Sequence, residues 1–344
     1  MSEFIMVRTG GSPREIGFDV GRATAGIVRE LAAANPAFYR RETGQRFEAI
    51  KRYFLRNFLP FAVRRYPDHV EEIRGLAEGA GLPFDDVAVF SAEEELLDTW
   101  GGWDKCSTAV VRSRGRLLLA HNEDYIGRYH DRLVLIEAEP RRRPAFLSLG
   151  YPGTLAGSSC GLNAAGLAEA NNSLRFRPRR RGLPKNFVLR DLLAARSLAE
   201  ARRLAVAGPR VVAGNICVAS AAEDRALALE TSLDQTAVVE LGAGPLVHTN
   251  HVISPEIDVS GERPTEHSRR RYAALTGRLA RRGSRVDARF LQDVLGDRSS
   301  GLRRFSLKPQ AATTLATVIM DPAARSMLVA AASGRRVWHK YVLK

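Results

Sequence analysis

Cysteine is scarce in this chain: Cys106, Cys160 and Cys217 are the only three in 344 residues. An odd, thinly spread set excludes a small disulfide-stapled scaffold. Lysine is scarce too. Only six of the 52 basic residues are lysine, which leaves 46 arginines, a ratio that GC-rich codon usage produces whatever the function. Aromatic residues make up 7% of the chain, and few lie among the arginine runs, which argues against a stacking platform for single-stranded nucleic acid. No apolar run approaches the length of a membrane span, and Met1-Ser2-Glu3-Phe4 lacks the basic-then-apolar layout of a secretory signal. A cytoplasmic protein without a membrane partner is expected. There is no internal repeat and no low-complexity segment. What is present, 45% hydrophobic residues with charges of both signs, excludes wholesale disorder and suffices for a substantial core.

The net charge of +14 is unevenly placed: residues 1–105 hold 14 basic and 17 acidic side chains, so the excess lies entirely in residues 106–344. Runs such as Arg141-Arg142-Arg143, Arg179-Arg180-Arg181 and Arg269-Arg270-Arg271 have the composition of a phosphate-contacting surface. Solvated loops and helix faces, or a surface attracting an acidic substrate, explain them equally well. The solvated reading is preferred, and no nucleic-acid partner is expected.

The first hundred residues read as helix. Ser12-Pro13-Arg14-Glu15 is a start signal, with Ser12 as N-cap and Pro13 at the first helical position. The apolar spacing from Ile16 to Leu31 runs until Asn35-Pro36 stops it. Helical spacing continues through Phe47–Val63, Val70–Leu76 and Phe84–Leu97. After residue 105 the texture changes to short strands. Thr108–Val111 and Arg116–His121 straddle an Arg114-Gly115 turn, the pattern of a hairpin. More strands follow at 133–138, 145–149 and 166–170, a helix at 186–207, strands at 215–220, 226–230 and 237–240, helices at 272–280 and 288–295, and a last hairpin at 313–331. Strand groups flanked by helix groups predict a layered α+β sandwich.

Cys106 stands at the junction of the helical and strand regions, after Asp104-Lys105 and before Ser107-Thr108. Cys160 and Cys217 lie in apolar, small-residue surroundings and read as core. A nucleophilic cysteine needs a base, and no histidine adjoins Cys106 in sequence, although His121, His248 and His251 can approach in space. Two histidines three apart in His248-Thr249-Asn250-His251 lack a third ligand in a recognisable frame, so no metal is expected. The glycine-rich stretch 150–161 lacks the Lys-Ser/Thr of a phosphate-cradling loop, and no cofactor is expected.

Five segments occur in one order: Gly11–Gly17; Asp104–Thr108; His121-Asn122-Glu123-Asp124-Tyr125; Gly161–Leu167 with Asn172-Ser173-Leu174; and His248–His251. In this order they resemble the acyl-coenzyme A:6-aminopenicillanate acyltransferase family of N-terminal nucleophile hydrolases, more distantly related to bile-salt and penicillin V amidases. The resemblance implies an αββα four-layer sandwich. Residues 1–105 would form a helical N-terminal segment and 106–344 the catalytic region, packed as one unit. It also implies self-cleavage between Lys105 and Cys106, after which the freed α-amine serves as base for its own thiol. An α-amine titrates at about 7.7–8.0, far closer to neutrality than lysine at about 10.4. By the same resemblance Asp124 orients that amine, Asn250 donates into an oxyanion hole, and Asn172 supplies a second donor through its backbone N–H. The register of Asn171 against Asn172 stays open. Glycine, which many members carry before the nucleophile, is replaced by Lys105. Lys308 falls near a family arginine and is given no role.

The expected activity is cleavage or transfer of the acyl group of a small N-acyl amide through a Cys106 thioester. The alternatives are a coenzyme A-dependent N-acyltransferase of the same family, or a non-catalytic arginine-rich nucleic-acid-binding protein. The expected partner is a small N-acyl amide or acyl thioester, with the two fragments staying associated and a homo-oligomer left open.

Overall fold

The computed structural model describes residues 4–98, 106–306, 308–309, 311–331 and 336–344. The Lys105–Cys106 bond, where self-cleavage is expected, therefore lies outside the described residues.

The chain opens not with helix but with strand β1 (Ile5–Gly11), which pairs in parallel with β4 (Val134–Pro140). Val7 turns into the core while Arg8 stays out, an alternation too short to stand out beside thirty residues of helical spacing. The capping box then forms as read: the Ser12 N–H donates to Glu15 Oε2 at 2.7 Å, and the Glu15 N–H to Ser12 Oγ at 3.3 Å. Helix α1 (Pro13–Thr43) runs through Pro36 instead of stopping there. A proline disturbs the carbonyls one turn back. Beside it Arg128 donates to Leu31 O at 3.3 Å and to the Asn35 side chain at 2.9 Å.

Helices α2 (Phe47–Asn57), α3 (Leu59–Arg65), α4 (Pro67–Ala80), α5 (Phe84–Ala88) and α6 (Glu93–Asp98) follow. α1 and α4 pack backbone to backbone. A Cβ added at Gly17 would stand 1.9 Å from Glu72 O, and one at Gly75 would stand 2.1 Å from Arg14 O, so only glycine permits this approach.

Beyond residue 105 come β2 (Ser107–Ser113), β3 (Arg116–Ile126), β4, β5 (Phe146–Gly150), β6 (Cys160–Asn163) and β7 (Leu167–Leu174). Helices α7 (Lys185–Leu192) and α8 (Leu198–Ala205) follow, then β8 (Ala213–Ser220), β9 (Arg225–Thr231), β10 (Thr236–Glu240) and β11 (Leu246–His248). The chain ends with α9 (Glu266–Arg282), α10 (Ala288–Leu295), β12 (Ala312–Asp321), β13 (Ser326–Ala331) and β14 (His339–Val342). The single helix expected at 186–207 is two, because Ser197 caps α8 and the Asn163 amide takes the carbonyls of Leu193 and Ala195.

The strands form an eight-stranded sheet, β1-β4-β5-β6-β7-β8-β9-β10, and a six-stranded sheet, β11-β2-β3-β12-β13-β14. They face one another, with Thr108 of β2 donating to Asn172 of β7 across the gap. α1 and α8 contact the larger sheet, while α9 and α10 contact the smaller. Leu275, Leu279, Leu291 and Leu295 close the outer face of the smaller sheet over Val111 and Ile319. The order of layers is helix, sheet, sheet, helix, as the resemblance implies. Among the described residues no helix is long and apolar enough to cross a membrane.

Candidate active site

Hairpin β2–β3 sets the site. Arg114 and Gly115 both take positive φ, 50° and 76°, the conformation a two-residue hairpin turn prefers. Ser107 is thereby placed opposite Asn122. The same register brings the segment 121–125 back beside Cys106. That polar segment is strand and is wholly buried. Its alternation sends His121, Glu123 and Tyr125 toward the space between the sheets and Asn122 and Asp124 toward the α9–α10 layer.

Cys106, 3% exposed, borders a small cavity of about 40 Å³ shared with Glu123, Tyr151, Asn171 and Lys185. Its Sγ lies 3.6 Å from Glu123 Oε1 and 3.9 Å from Asp124 O. Glu123 also accepts from Tyr151 and Ser159, and its Oε2 is 3.1 Å from His121 Nε2. Burial alone would raise this carboxyl, but the hydrogen bonds from His121, Ser159 and Tyr151 hold it below the usual carboxylate range. Of the histidines that sequence left in play, only His121 reaches the nucleophile, and it does so through Glu123. His248 pairs with Glu230 at 2.7 Å, and His251 Nδ1 is 2.9 Å from Ser268 Oγ. Cys106, His121 and Glu123 are the one trio of metal-ligating groups that converges among the described residues, their ligand atoms all within 4.8 Å. Each is engaged within this network.

Asp124 is 0% exposed, and its carboxylate has no ion-pair partner among the described residues, with the Thr314 side chain of β12 as its hydrogen-bonding neighbour. Burial pushes its carboxyl up, against the pull of the Arg271 charge. Asn172 is also fully buried, with its Oδ1 accepting from Thr108 and Asn215 and its Nδ2 unpartnered among the described residues. The cavity is lined by Asn171, whose Nδ2 donates to Ser159 O at 2.8 Å, so the two asparagines lie on opposite faces of β7. Asn250 Nδ2 donates to Ser173 O at 3.0 Å. Lys308 is exposed.

Sequence reasoning missed Arg271. Read as part of a solvated run, it is instead the largest fully buried side chain. From α9 its Nη1 donates to Cys106 O at 2.7 Å and Ser107 Oγ at 2.8 Å, and its Nη2 to Asn250 Oδ1 at 2.6 Å. Its Nε donates to His267 Nδ1 at 3.0 Å. Burial and neighbouring arginines push His267 down to about 4, which leaves that nitrogen free to accept. One guanidinium thus joins the nucleophile's backbone to the amide of Asn250. A signal was present: Arg271 falls three residues after Ser268, on the face of α9 turned inward with Leu275 and Leu279.

The pattern of the family described as acyl-coenzyme A:6-aminopenicillanic acid acyl-transferase matches residues 111–336, well over half of the chain. The chain belongs to this family. Asp124, Asn172, Asn250 and Arg271 fall inside the match, and Cys106 stands just before it. Beta-alanyl-dopamine/carcinine hydrolase of Drosophila melanogaster is 25% identical over 204 residues, covering 54% of this acyltransferase-family chain and 53% of that protein. The chain thus spans about half the length of that relative. The 40 kDa form of acyl-coenzyme A:6-aminopenicillanic-acid-acyltransferase of Emericella nidulans is 26% identical over 248 residues, covering 71% and 68%. Among solved structures, a variant of conjugated bile acid hydrolase from Clostridium perfringens matches with a TM-score of 0.49 at 12% identity, over 69% of this chain and 92% of that one.

Proposed function

We propose that this member of the family is a cysteine amide hydrolase or acyltransferase, activated by cleavage between Lys105 and Cys106 and acting on small N-acyl amides. The observation that carries the reading is Asp124: a fully buried carboxylate on the strand beside Cys106, without an ion-pair partner among the described residues. An unpaired buried charge is costly, and the α-ammonium released by cleavage is the group that would satisfy it. Asp124 then holds the amine by a charge-assisted hydrogen bond.

In the proposed reaction the α-amine takes the thiol proton as sulfur attacks the acyl carbonyl. The second N–H of the Asn250 amide, which Ser173 leaves free, and the backbone N–H at Asn172 receive the oxyanion. The tetrahedral intermediate collapses to a Cys106 thioester, and the α-ammonium gives its proton to the departing amine. Water, or an acceptor amine, then attacks the thioester and releases the acyl group from sulfur. Arg271 acts as a positioning residue. By donating to Asn250 Oδ1 it fixes which end of that amide is the donor.

The test combines intact-mass analysis with a screen of N-acyl amides, and the name of the Drosophila relative puts β-alanyl amides first. Cleaved protein that releases amine from such a substrate supports the proposal. Full activity in protein whose Lys105–Cys106 bond is intact refutes it.

A further inference from the structure

A second concavity, of about 410 Å³, lies at the other end of β5. Tyr151, which follows that strand, lines the Cys106 cavity, whereas Pro144, which precedes it, lines this one. The strand between them is about 17 Å long at ~3.4 Å per residue. From this concavity we infer a separate binding site for a small phosphorylated molecule.

Its wall brings together five arginines from four stretches of chain: Arg65 at the end of α3, Arg142 and Arg143 in the β4–β5 turn, Arg196 before α8, and Arg203 on α8. Three carboxylates share the wall, and they are already occupied by the other two arginines. Asp191 and Asp68 face Arg143 at 2.7 and 3.8 Å, and Glu200 faces Arg203 at 3.6 Å. The guanidinium groups of Arg65, Arg142 and Arg196 have no carboxylate partner among the described residues, although the Arg196 backbone N–H donates to Glu200 at 2.9 Å, so the wall carries an excess of positive charge.

The floor is polar. Tyr66, 6% exposed, stacks on His69, 2% exposed, at 5.2 Å. The buried Tyr66 hydroxyl has the Arg65 guanidinium as its hydrogen-bonding neighbour and no acceptor for its own proton among the described residues. A buried donor left without an acceptor is destabilising, and an acceptor oxygen of a ligand would satisfy it. Guanidinium forks around a donor floor suit phosphate oxygens, which accept two parallel N–H bonds from one fork. The volume lies in the range of small-molecule sites, about 300–1,000 Å³. Arg141-Arg142-Arg143, which catalysis does not use, divides its work accordingly. Arg141 pairs with Glu15 on α1, while its two neighbours turn to this site.

The experiment is isothermal titration of the full chain at physiological salt with sodium pyrophosphate, with AMP, and with citrate as a non-phosphate anion of similar charge. One saturable site for pyrophosphate or AMP is expected, and tighter binding of AMP would mark a nucleotide as the source of the phosphate. Arg142→Ser with Arg196→Ser should weaken that binding at least tenfold. Arg281→Ser with Arg289→Ser, which removes the same charge elsewhere, should change it less than twofold. Tyr66→Phe should also weaken binding without lowering the melting temperature of the unliganded protein. All three variants should keep wild-type amide cleavage. No saturable heat, citrate binding as tightly as pyrophosphate, or unchanged affinity in the Arg142/Arg196 variant would each overturn the site. None of these results depends on the chemistry at Cys106.

Discussion

Replacing Arg271 tests whether one buried guanidinium organises the site. Four acceptors among the described residues, Cys106 O, Ser107 Oγ, Asn250 Oδ1 and His267 Nδ1, lose the guanidinium as their donor in Arg271→Gln. Hydrogen bonds to a charged group contribute about 1.5–3 kcal/mol each, but such terms do not add when the partners relax together. Removing one member of a buried charged network costs about 3–5 kcal/mol, a large part of a typical 5–15 kcal/mol stability. Arg271→Lys keeps the charge and loses the planar fork. It should stay folded, with kcat lowered by about tenfold or more because the Asn250 amide is no longer fixed. The Asp124 carboxyl, raised by burial and restrained by Arg271, should rise further in Arg271→Gln. Its ionised form then persists only at higher pH, so the acid limb of the rate profile should move upward. Urea unfolding followed by circular dichroism reads the stability, and amine release across pH reads the limb. An Arg271→Gln protein with wild-type kcat and an unmoved acid limb would refute the positioning role.

Cys106→Ala should abolish turnover and self-cleavage, whereas Cys160→Ala and Cys217→Ala should keep most of the activity; full turnover in Cys106→Ala ends the thioester reading. Asn250→Ala should lower the acylation rate by roughly 10²–10³-fold, and a change confined to KM in stopped-flow assays would show that it contacts only the ground state. Active protein should run in denaturing gels as fragments of residues 1–105 and 106–344, and Edman sequencing of the larger should begin Cys-Ser-Thr-Ala. Glu95, lifted to about 7 by burial and then by the charge of Glu94, holds its proton longer when folded than when unfolded. Stability should therefore fall as pH rises from about 4.5 to 7, by of the order of 3 kcal/mol. Glu95→Gln should flatten that slope in urea titrations; parallel slopes would contradict the burial argument.

The strand hairpins and the capped start of α1 were legible because each rests on contacts between residues close in sequence. The nearness of the Asp124 backbone to Cys106 has the same local origin: the Arg114-Gly115 turn sets its register. The failures were non-local. The seven residues of β1 pair with a strand more than a hundred residues away, and α1 continues past Pro36 at a point where Arg128, from a distant turn, contacts it. The burial of 121–125 was hidden by polarity, since a run of His, Asn, Glu and Asp reads as surface until each group is seen to find a partner. Arg271 was concealed twice, by its exposed neighbours Arg269 and Arg270 and by acceptors that lie at least twenty residues away except for His267.

The pairing of β1 with β4 has a consequence for how this protein can be made again once taken apart. Cutting before Cys106 would leave one edge strand of the larger sheet, and the α1–α4 pair beneath it, on a chain separate from the other thirteen strands. The uncut chain assembles that sheet in a unimolecular reaction. After the cut the same native state would have to be reached by two molecules meeting, at a rate and yield that depend on concentration. Dilution after denaturation would then separate the two forms: Cys106→Ala should refold equally well at any dilution, and the mature enzyme should recover progressively less. Cleavage would thus fix the order of events, folding first and activation second, and make the later loss of structure effectively irreversible in a dilute cell extract.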